Sequence, residues 1–339
     1  MTKKFSSETN LPWWKKGVIY QIYPRSFNDT SGNGIGDLKG ISKKISYLSS
    51  LGVDAIWLSP IFTSPMKDMG YDVSNYTDID PLFGNILDFE KLIKKAKENK
   101  IKVIIDQVLS HSSDAHSFFE ISKSNKNNSK SDWYVWADPK PDGSPPNNWL
   151  SVFGGSAWEW DTSREQYYLH NFLKSQPDFN FHNKDVQKWL LSTVKFWLEK
   201  GVDGFRLDTA NYYFHDKKLR NNPAINLRAS EKNPYYFQDL KYSINQKDNF
   251  AFLKKLRKLT DEYKETTMIG EISNVELQAK YTANNDKLHM AYSFDLLRDE
   301  FSPKHIRNTV SKFFKETKDG WPTWSFSNHD VVRHLSRWN

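Results

Sequence analysis

The sequence predicts an α/β fold, and three observations carry that prediction. Short apolar or β-branched runs alternate with longer stretches in which apolar residues recur at helical spacing. These follow one another as strand, helix, strand, helix, the rhythm of parallel β/α units. Several runs end on polar or charged residues, among them Asp106, Asp208, Glu271 and His329-Asp330. A (β/α)8 barrel gathers its functional groups at the C-terminal ends of its strands. The expectation is therefore a (β/α)8 TIM barrel.

Each element has its own reason. Val18 to Tyr23 reads as the first strand, and Leu38, Ile41, Ile45 and Leu48 then share one helix face. Ala55 to Leu58 is a short apolar strand stopped by Ser59-Pro60, and Phe89, Leu92, Ile93 and Ala96 mark the second helix. Val103 to Ile105 is β-branched and ends at Asp106. The rhythm then breaks. Residues 108–181 are rich in Ser, Asn, Trp, Pro and Gly and show no clean periodic helix. A stretch that long reads as a subdomain inserted after the third strand. Val186, Leu190, Val194, Trp197 and Leu198 resume the helical spacing, and Phe205 to Asp208 is the next strand. Residues 211–246 form a second polar excursion. Leu253, Leu256, Leu259 and Tyr263 give a helix, Met268 to Glu271 a strand and Ala291 to Phe294 another. Ile306, Val310 and Phe313 mark a last helix, and Trp324 to Phe326 a last strand, running into Ser327-Asn328-His329-Asp330. That makes seven strands, so the barrel lacks its last β/α unit.

Composition excludes several functions. The chain has 339 residues, ample for a large core. Aromatic residues make up 15%, more than a core alone requires, and such rings suit the apolar faces of sugars. The net charge of +7 comes from Lys scattered over amphipathic stretches such as Lys91 to Lys102. These are solvated helix faces, and no nucleic-acid partner is expected. No apolar run approaches the ~18 residues of a membrane span, so no membrane partner is expected either. Cysteine is absent, which excludes disulfides, thiolate metal sites and a Cys nucleophile. Met1 to Asn10 is polar and lacks the apolar core of a secretory signal, so a cytoplasmic protein is expected. No feature calls for an organic cofactor, and nothing in the sequence speaks to oligomeric state.

The chemistry centres on Gly204-Phe205-Arg206-Leu207-Asp208-Thr209. Phe205 and Leu207 alternate with Arg206 and Asp208, so arginine and carboxylate share one face of a buried strand. An arginine there is expected to lower the Asp208 pKa and keep it ionised, as a covalent nucleophile requires. Asp208, Glu271 and Asp330 stand on three separate strand ends. Two such carboxylates can flank a glycosidic bond. One attacks the anomeric carbon, and the other, its pKa raised by crowding, protonates the leaving oxygen and later activates water. His111 and His329 can donate hydrogen bonds to sugar hydroxyls.

At these residues the chain resembles the α-amylase family, glycoside hydrolase family 13, and within it the bacterial α-glucosidases and oligo-1,6-glucosidases. The likeness rests on Trp13-Trp14-Lys15, Val18 to Phe27, Trp57-Leu58-Ser59-Pro60, Gly70-Tyr71-Asp72 and Asp106 to His111. It continues through Gln176-Pro177-Asp178-Phe179-Asn180, Gly204 to Asp208, Gly270-Glu271 and Ser327-Asn328-His329-Asp330, in family order. The resemblance implies that Asp208 is the nucleophile, Glu271 the general acid/base and Asp330 the carboxylate on the sugar's 2- and 3-hydroxyls. Arg206, His111 and His329 would line the same subsite. Asp68 and Tyr71 would close it around a terminal glucose, with Phe153 and Phe172 as aromatic walls.

The resemblance also bears on substrate and metal. Thr209, after the nucleophile, is the residue type of α-1,4-preferring members, whereas α-1,6-preferring members usually carry Val; a small oligosaccharide such as maltose is the expected substrate. Other members sharing these carboxylates are sucrose isomerases, trehalose synthases and transglucosidases, and an inactive remnant is a further alternative. Asp29-Thr30-Ser31-Gly32-Asn33-Gly34-Ile35-Gly36-Asp37 resembles an EF-hand-type loop, with oxygen side chains at Asp29, Ser31, Asn33 and Asp37 and Gly34 at the turn. The family uses this loop for a structural Ca²⁺ or Mg²⁺, bound also by the Ile35 carbonyl. Residues 1–107 and 182–339 would be barrel and 108–181 the family's B-type insertion. Ser110 stands where many members have Asn. The family's eighth strand and C-terminal β domain have no counterpart up to Asn339.

Overall fold

The computed structural model describes residues 11–225, 232–317 and 319–339. The stretch Met1 to Asn10, read above as carrying no secretory signal, lies outside them. Six parallel strands form one sheet, adjacent in the order in which they occur in the chain: β1 (Ile19–Ile22), β2 (Ala55–Leu58), β3 (Lys102–Gln107), β4 (Gly204–Leu207), β5 (Thr267–Glu271) and β6 (Met290–Tyr292). This is the curled sheet of a (β/α)8 barrel, six strands of it.

The period-two alternation of the strands sorts their side chains onto two faces. Ile56, Leu58, Val103, Ile105, Phe205, Leu207, Met268 and Ala291 point outward and pack in the main core. Ala55, Trp57, Ile104, Ile269, Met290 and Tyr292 point inward and form a separate cluster with Trp14. Helices cover the outer face: α1 (Leu38–Ser50), α2 (Ile86–Glu98), α3 (Lys184–Glu199), α4 (Lys247–Thr260), α5 (Val275–Thr282) and α6 (Pro303–Glu316). Most start at a residue whose side chain accepts a first-turn N–H: Asp37, Asn85, Asn183, Asn274 and Ser302. The buried stripe of α3, Val186, Leu190, Val194 and Trp197, is the one its spacing predicts.

Three elements depart from the sequence reading. Trp324 to Phe326 is not a strand. The segment meets the sheet at one parallel bridge, Pro322 to Ala291, supported by Thr323 N–H donating to the Ala291 carbonyl at 2.9 Å. Pro322 has no N–H to extend a ladder. Helix α5 was not expected, because two of its buried residues, Gln278 and Thr282, are polar and blur the apolar period. Within residues 108–181 a helix, Ser117–Ser124, does occur. The same stretch carries a three-stranded antiparallel sheet (Trp136–Ala137, Gln166–Leu169, Trp158–Asp161) with its own core of Val135, Trp149, Trp158 and Leu169.

Between β1 and β6 the sheet stays open. A cavity of about 720 Å³ lies there, lined by Trp14, Ile19, Trp57, Met290, Trp321 and Trp324, and reaching Arg206 and Tyr292. No helix among the described residues is long and apolar enough to cross a membrane.

Candidate active site

Register decides which strand-end side chains meet. Asp106 pairs with Arg206 across β3 and β4, and Glu271 pairs with Tyr292 across β5 and β6. Trp57, Asp106, Arg206, Glu271 and Tyr292 share the inner face, each two residues further along its strand than Ala55, Ile104, Gly204, Ile269 and Met290 respectively. Arg206 is the hub. Its Nη1 donates to Asp106 Oδ1 at 2.9 Å and to Asp208 Oδ1 at 2.6 Å, and its Nη2 forms an ion pair with Glu271 Oε1 at 2.5 Å. Nε and Nη2 donate to the Tyr292 hydroxyl, which donates in turn to Glu271 Oε1 at 3.0 Å. The Trp57 ring stands 5.2 Å from the guanidinium, a cation–π contact. All these groups are buried.

One guanidinium cannot offset three buried carboxylates. The sequence reading has Arg206 lowering the Asp208 pKa, and the structure reverses the net sign. Burial raises Asp208 well above the ordinary carboxylate range, Glu271 and Asp106 add to the rise, and Arg206 only opposes it. Asp106 is raised as well, by burial first, against the pull of Arg206. The cluster is therefore biased to retain a proton.

The turn after β4 places Thr209 in the left-handed region, φ 42°, which a β-branched residue rarely adopts. This aims its N–H at Glu271 Oε2, 3.1 Å away, and brings its hydroxyl 3.2 Å from Asp208 Oδ2. On the loop after β3, Ser110 Oγ lies 2.9 Å from Thr209 Oγ1 and 2.8 Å from His111 Nδ1. His111 Nε2 faces the Tyr71 carbonyl at 3.1 Å and the Gln176 amide nitrogen at 3.2 Å. Burial pushes His111 down to about 4, so its ring is neutral. Gln176 also donates to Asp68 Oδ2 at 2.7 Å. Burial, with Asp72 and Asp330 near, raises Asp68 to about 6 despite that hydrogen bond. The buried Asp72 carboxylate pins the Asp68 loop by accepting from Ser64 Oγ and from the Lys67 and Asp68 N–H groups.

The remaining expected residues separate into near and far. Tyr71 donates to Asp106 Oδ2 and lies 2.8 Å from His329 Nε2, whose ring stacks on Tyr71 at 5.4 Å and whose Nδ1 meets Gln21. Phe172 stands 5.3 Å from His111, with the exposed Phe153 at 5.8 Å beyond it. Asp330 is half exposed and bonds to Asn328, so it is not part of the Arg206 cluster. Asp106, Tyr292 and Trp57 were missed as site residues. Asp106 showed the signal of a carboxylate ending a β-branched run; Tyr292 is found only once register sets it opposite Glu271.

In the loop before α1, Asp29 accepts from Ser31, Gly32 and Gly34, and the Gly34 N–H is the largest cause of its lowered pKa. Burial pushes Asp37 up, but N–H groups of Thr30 and Gly40 more than offset it. Asn33 accepts from the Ile35 N–H. Among the described residues no group of three or more His, Cys, Asp or Glu is placed to hold a metal ion.

A carboxylate set clamped by one arginine, at the C-terminal rim of a parallel barrel, defines an acid–base or nucleophilic site of the TIM-barrel enzymes. The α-amylase catalytic domain family matches residues 21–339, and the chain belongs to that family, glycoside hydrolase family 13. It is 53% identical to a probable α-glucosidase of Rhizobium meliloti, over 98% of this chain and 62% of that one. It is 41% identical to the oligo-1,6-glucosidase of Heyndrickxia coagulans, over 96% of this chain and 61% of that one. The crystal structure of the α-glucosyl transfer enzyme XgtA superposes with a TM-score of 0.94 at 54% identity, covering 97% of this chain and 63% of that one. The chain thus spans about three fifths of the length of these relatives.

Arg206→Lys keeps a charge but cannot reach Asp208 and Glu271 from two nitrogens at once. It is expected to destabilise the fold by about 3–5 kcal/mol, as breaking a buried ion network does, measured by urea unfolding; a loss under about 1 kcal/mol would remove Arg206 as the hub.

Proposed function

We propose that this chain is the catalytic barrel of a retaining, exo-acting α-glucosidase that hydrolyses terminal α-1,4-linked glucose from maltose and short oligosaccharides. The observation that carries the reading is the Arg206 clamp, which holds Asp208 and Glu271 on adjacent nitrogens of one guanidinium. Asp208 attacks the anomeric carbon as the bond to the leaving sugar breaks, and Glu271 gives its proton to the leaving oxygen. Glu271, now a base, takes a proton from water, which displaces Asp208. Two inversions return the α configuration. Burial and the neighbouring anions raise Asp208 and Asp106, so the cluster favours holding a proton.

The Asp68–Gln176–His111 group supports an exo-acting site, because it bounds the clamp with polar groups suited to the hydroxyls of one terminal sugar. In this reading His329 and Asp330 bind the same sugar, with Phe153 and Phe172 against its apolar edges. Thr209 supports the α-1,4 preference. A second reading, glucosyl transfer to a sugar hydroxyl in place of water, is favoured by the likeness to XgtA. Both use the same first step and differ in the acceptor.

A hard divalent cation, Ca²⁺ or Mg²⁺, would be held by Asp29, Asn33, Asp37 and the Ile35 carbonyl, with Ser31 beside Asp29. The donors are all oxygen, as a hard cation requires, and two of them are carboxylates. The ion would brace the turn ahead of α1.

Glucose release from maltose is expected to exceed that from isomaltose, and Asp208→Asn to lower it about a thousandfold or more. Faster turnover of isomaltose would overturn the linkage, and an active Asp208→Asn the nucleophile. Below about pH 6 Asp68 takes up a proton and loses its anionic acceptor. KM for maltose should therefore rise as pH falls through that value, and Asp68→Asn should flatten the rise. Ca²⁺ or Mg²⁺ at millimolar concentration should raise Tm, and Asp29→Ala should abolish the increase; no shift with either ion would exclude the metal.

A further inference from the structure

Asn328, His329 and Asp330 stand on a loop with few ties to the barrel. Among the described residues, the hydrogen bonds that leave residues 324–339 for the rest of the chain come from three side chains: His329, Arg337 and Trp338. No backbone–backbone hydrogen bond joins this segment to the barrel. His329 is held by its own ring, on Gln21 and Tyr71. Asp330 is not. Its hydrogen bonds run to Asn328, inside the loop, and His329 Nε2 lies 3.3 Å away. Burial is the first cause of the raised Asp68 pKa, but Asp330 adds to it across the site. The seat of the loop therefore sets the gap between two carboxylates of the proposed sugar site.

Arg337 closes the stem of this loop. Its Nη1 donates to the Val332 carbonyl at 2.6 Å and its Nη2 to the Phe326 carbonyl at 2.8 Å, one residue on each side of 327–331. Its Nε donates to the Arg298 carbonyl at 3.0 Å, and Nη2 also reaches the Leu296 carbonyl at 3.4 Å. Both of these lie in the segment that follows β6. One planar guanidinium thus ties the two ends of the loop to each other and both to the barrel. Its rigid fork of donors allows this, whereas a lysine offers a single nitrogen. Ser327 and His334 also bond to each other, but that pair closes the loop on itself. Trp338 adds an N–H to the Arg298 carbonyl and a ring against Phe326, on the same side of the stem. Among the described residues, the Val332 side is hydrogen-bonded by Arg337 alone.

We infer that Arg337 is a positioning residue for Asp330. It clips the stem of the loop to the segment after β6 and so seats the carboxylate before a sugar arrives. The inference rests on the α-glucosidase reading for the role of Asp330, but not for the clip itself.

The test has two arms. In the first, the full chain and its Arg337→Ala and Arg337→Lys variants hydrolyse 4-nitrophenyl α-glucoside. A loop that must be ordered on binding costs affinity, and a contact weakened equally in bound substrate and transition state raises KM alone. Arg337→Ala should therefore raise KM about tenfold, the size of one hydrogen bond from a charged donor, with kcat kept within about twofold. Arg337→Lys should recover part of that loss. A merely structural role would lower the active fraction, and with it kcat, at an unmoved KM; that result overturns the inference. In the second arm, ¹⁵N relaxation of the backbone amides reads the loop without turnover. Order parameters of about 0.85 at Asn328, His329 and Asp330 in the unaltered chain should fall below about 0.6 in Arg337→Ala, while those of β4 and β5 stay high. Equal values in the two chains, or low values already in the unaltered one, refute the clip. If Arg337→Ala does not fold, Arg337→Gln takes its place in both arms. If the unaltered chain cleaves no α-glucoside, the functional reading fails, and the second arm alone decides the clip.

Discussion

The guanidinium of Arg206 is the interaction on which the rest of the site depends. It reaches Asp106, Asp208, Glu271 and Tyr292 from one buried position. Ions removed from water are costly, and they are tolerated only when their partners are fixed in good geometry. Three strands must therefore hold their register for the cluster to exist at all. Asp106 stands on β3, Arg206 on β4 and Glu271 on β5, each one strand from the next. The sheet supplies rigidity, and the cluster penalises any slip of it.

The layering below the cluster serves the same end. Ala55, Ile104, Ile269 and Met290 make an apolar floor, and Trp57 and Tyr292 stand at its edge with a polar atom each turned up to the charges. Burial of the charges themselves lowers the local dielectric, so their imbalance is felt strongly. That imbalance is useful chemistry. In the α-glucosidase reading, a carboxylate pair with a proton to share acts once as acid and once as base.

Much of this was legible in the sequence, and the failures are specific. Strand ends could be located because buried parallel strands read as short apolar runs, and a charge at their end is rarely idle. Arg206 and Asp208 could be paired from the period of a strand alone. Tyr292 could not be, because its partnership with Glu271 depends on register between strands 21 residues apart in the chain. Helix α5 was hidden because Gln278 turns inward to bond the Ala291 carbonyl. Trp324 to Phe326 looked like a strand because aromatic spacing is shared by strands and by segments that merely pack; Phe313 stacks edge-on against Trp324. The sign of the Asp208 shift was misjudged by weighing one pair instead of burial and two neighbouring anions.

Strand order has a consequence for how the chain can be made. Each strand of the sheet lies beside the one synthesised before it. A nascent chain can therefore add strands to a growing edge as it leaves the ribosome, without waiting for a distant partner. The charged hub needs nothing beyond Tyr292 to be complete. His329, which bonds back to Gln21 and Tyr71, joins the first strand's neighbourhood to residues made after β6. Vectorial synthesis would thus build the clamp first and latch it to the N-terminal half afterwards.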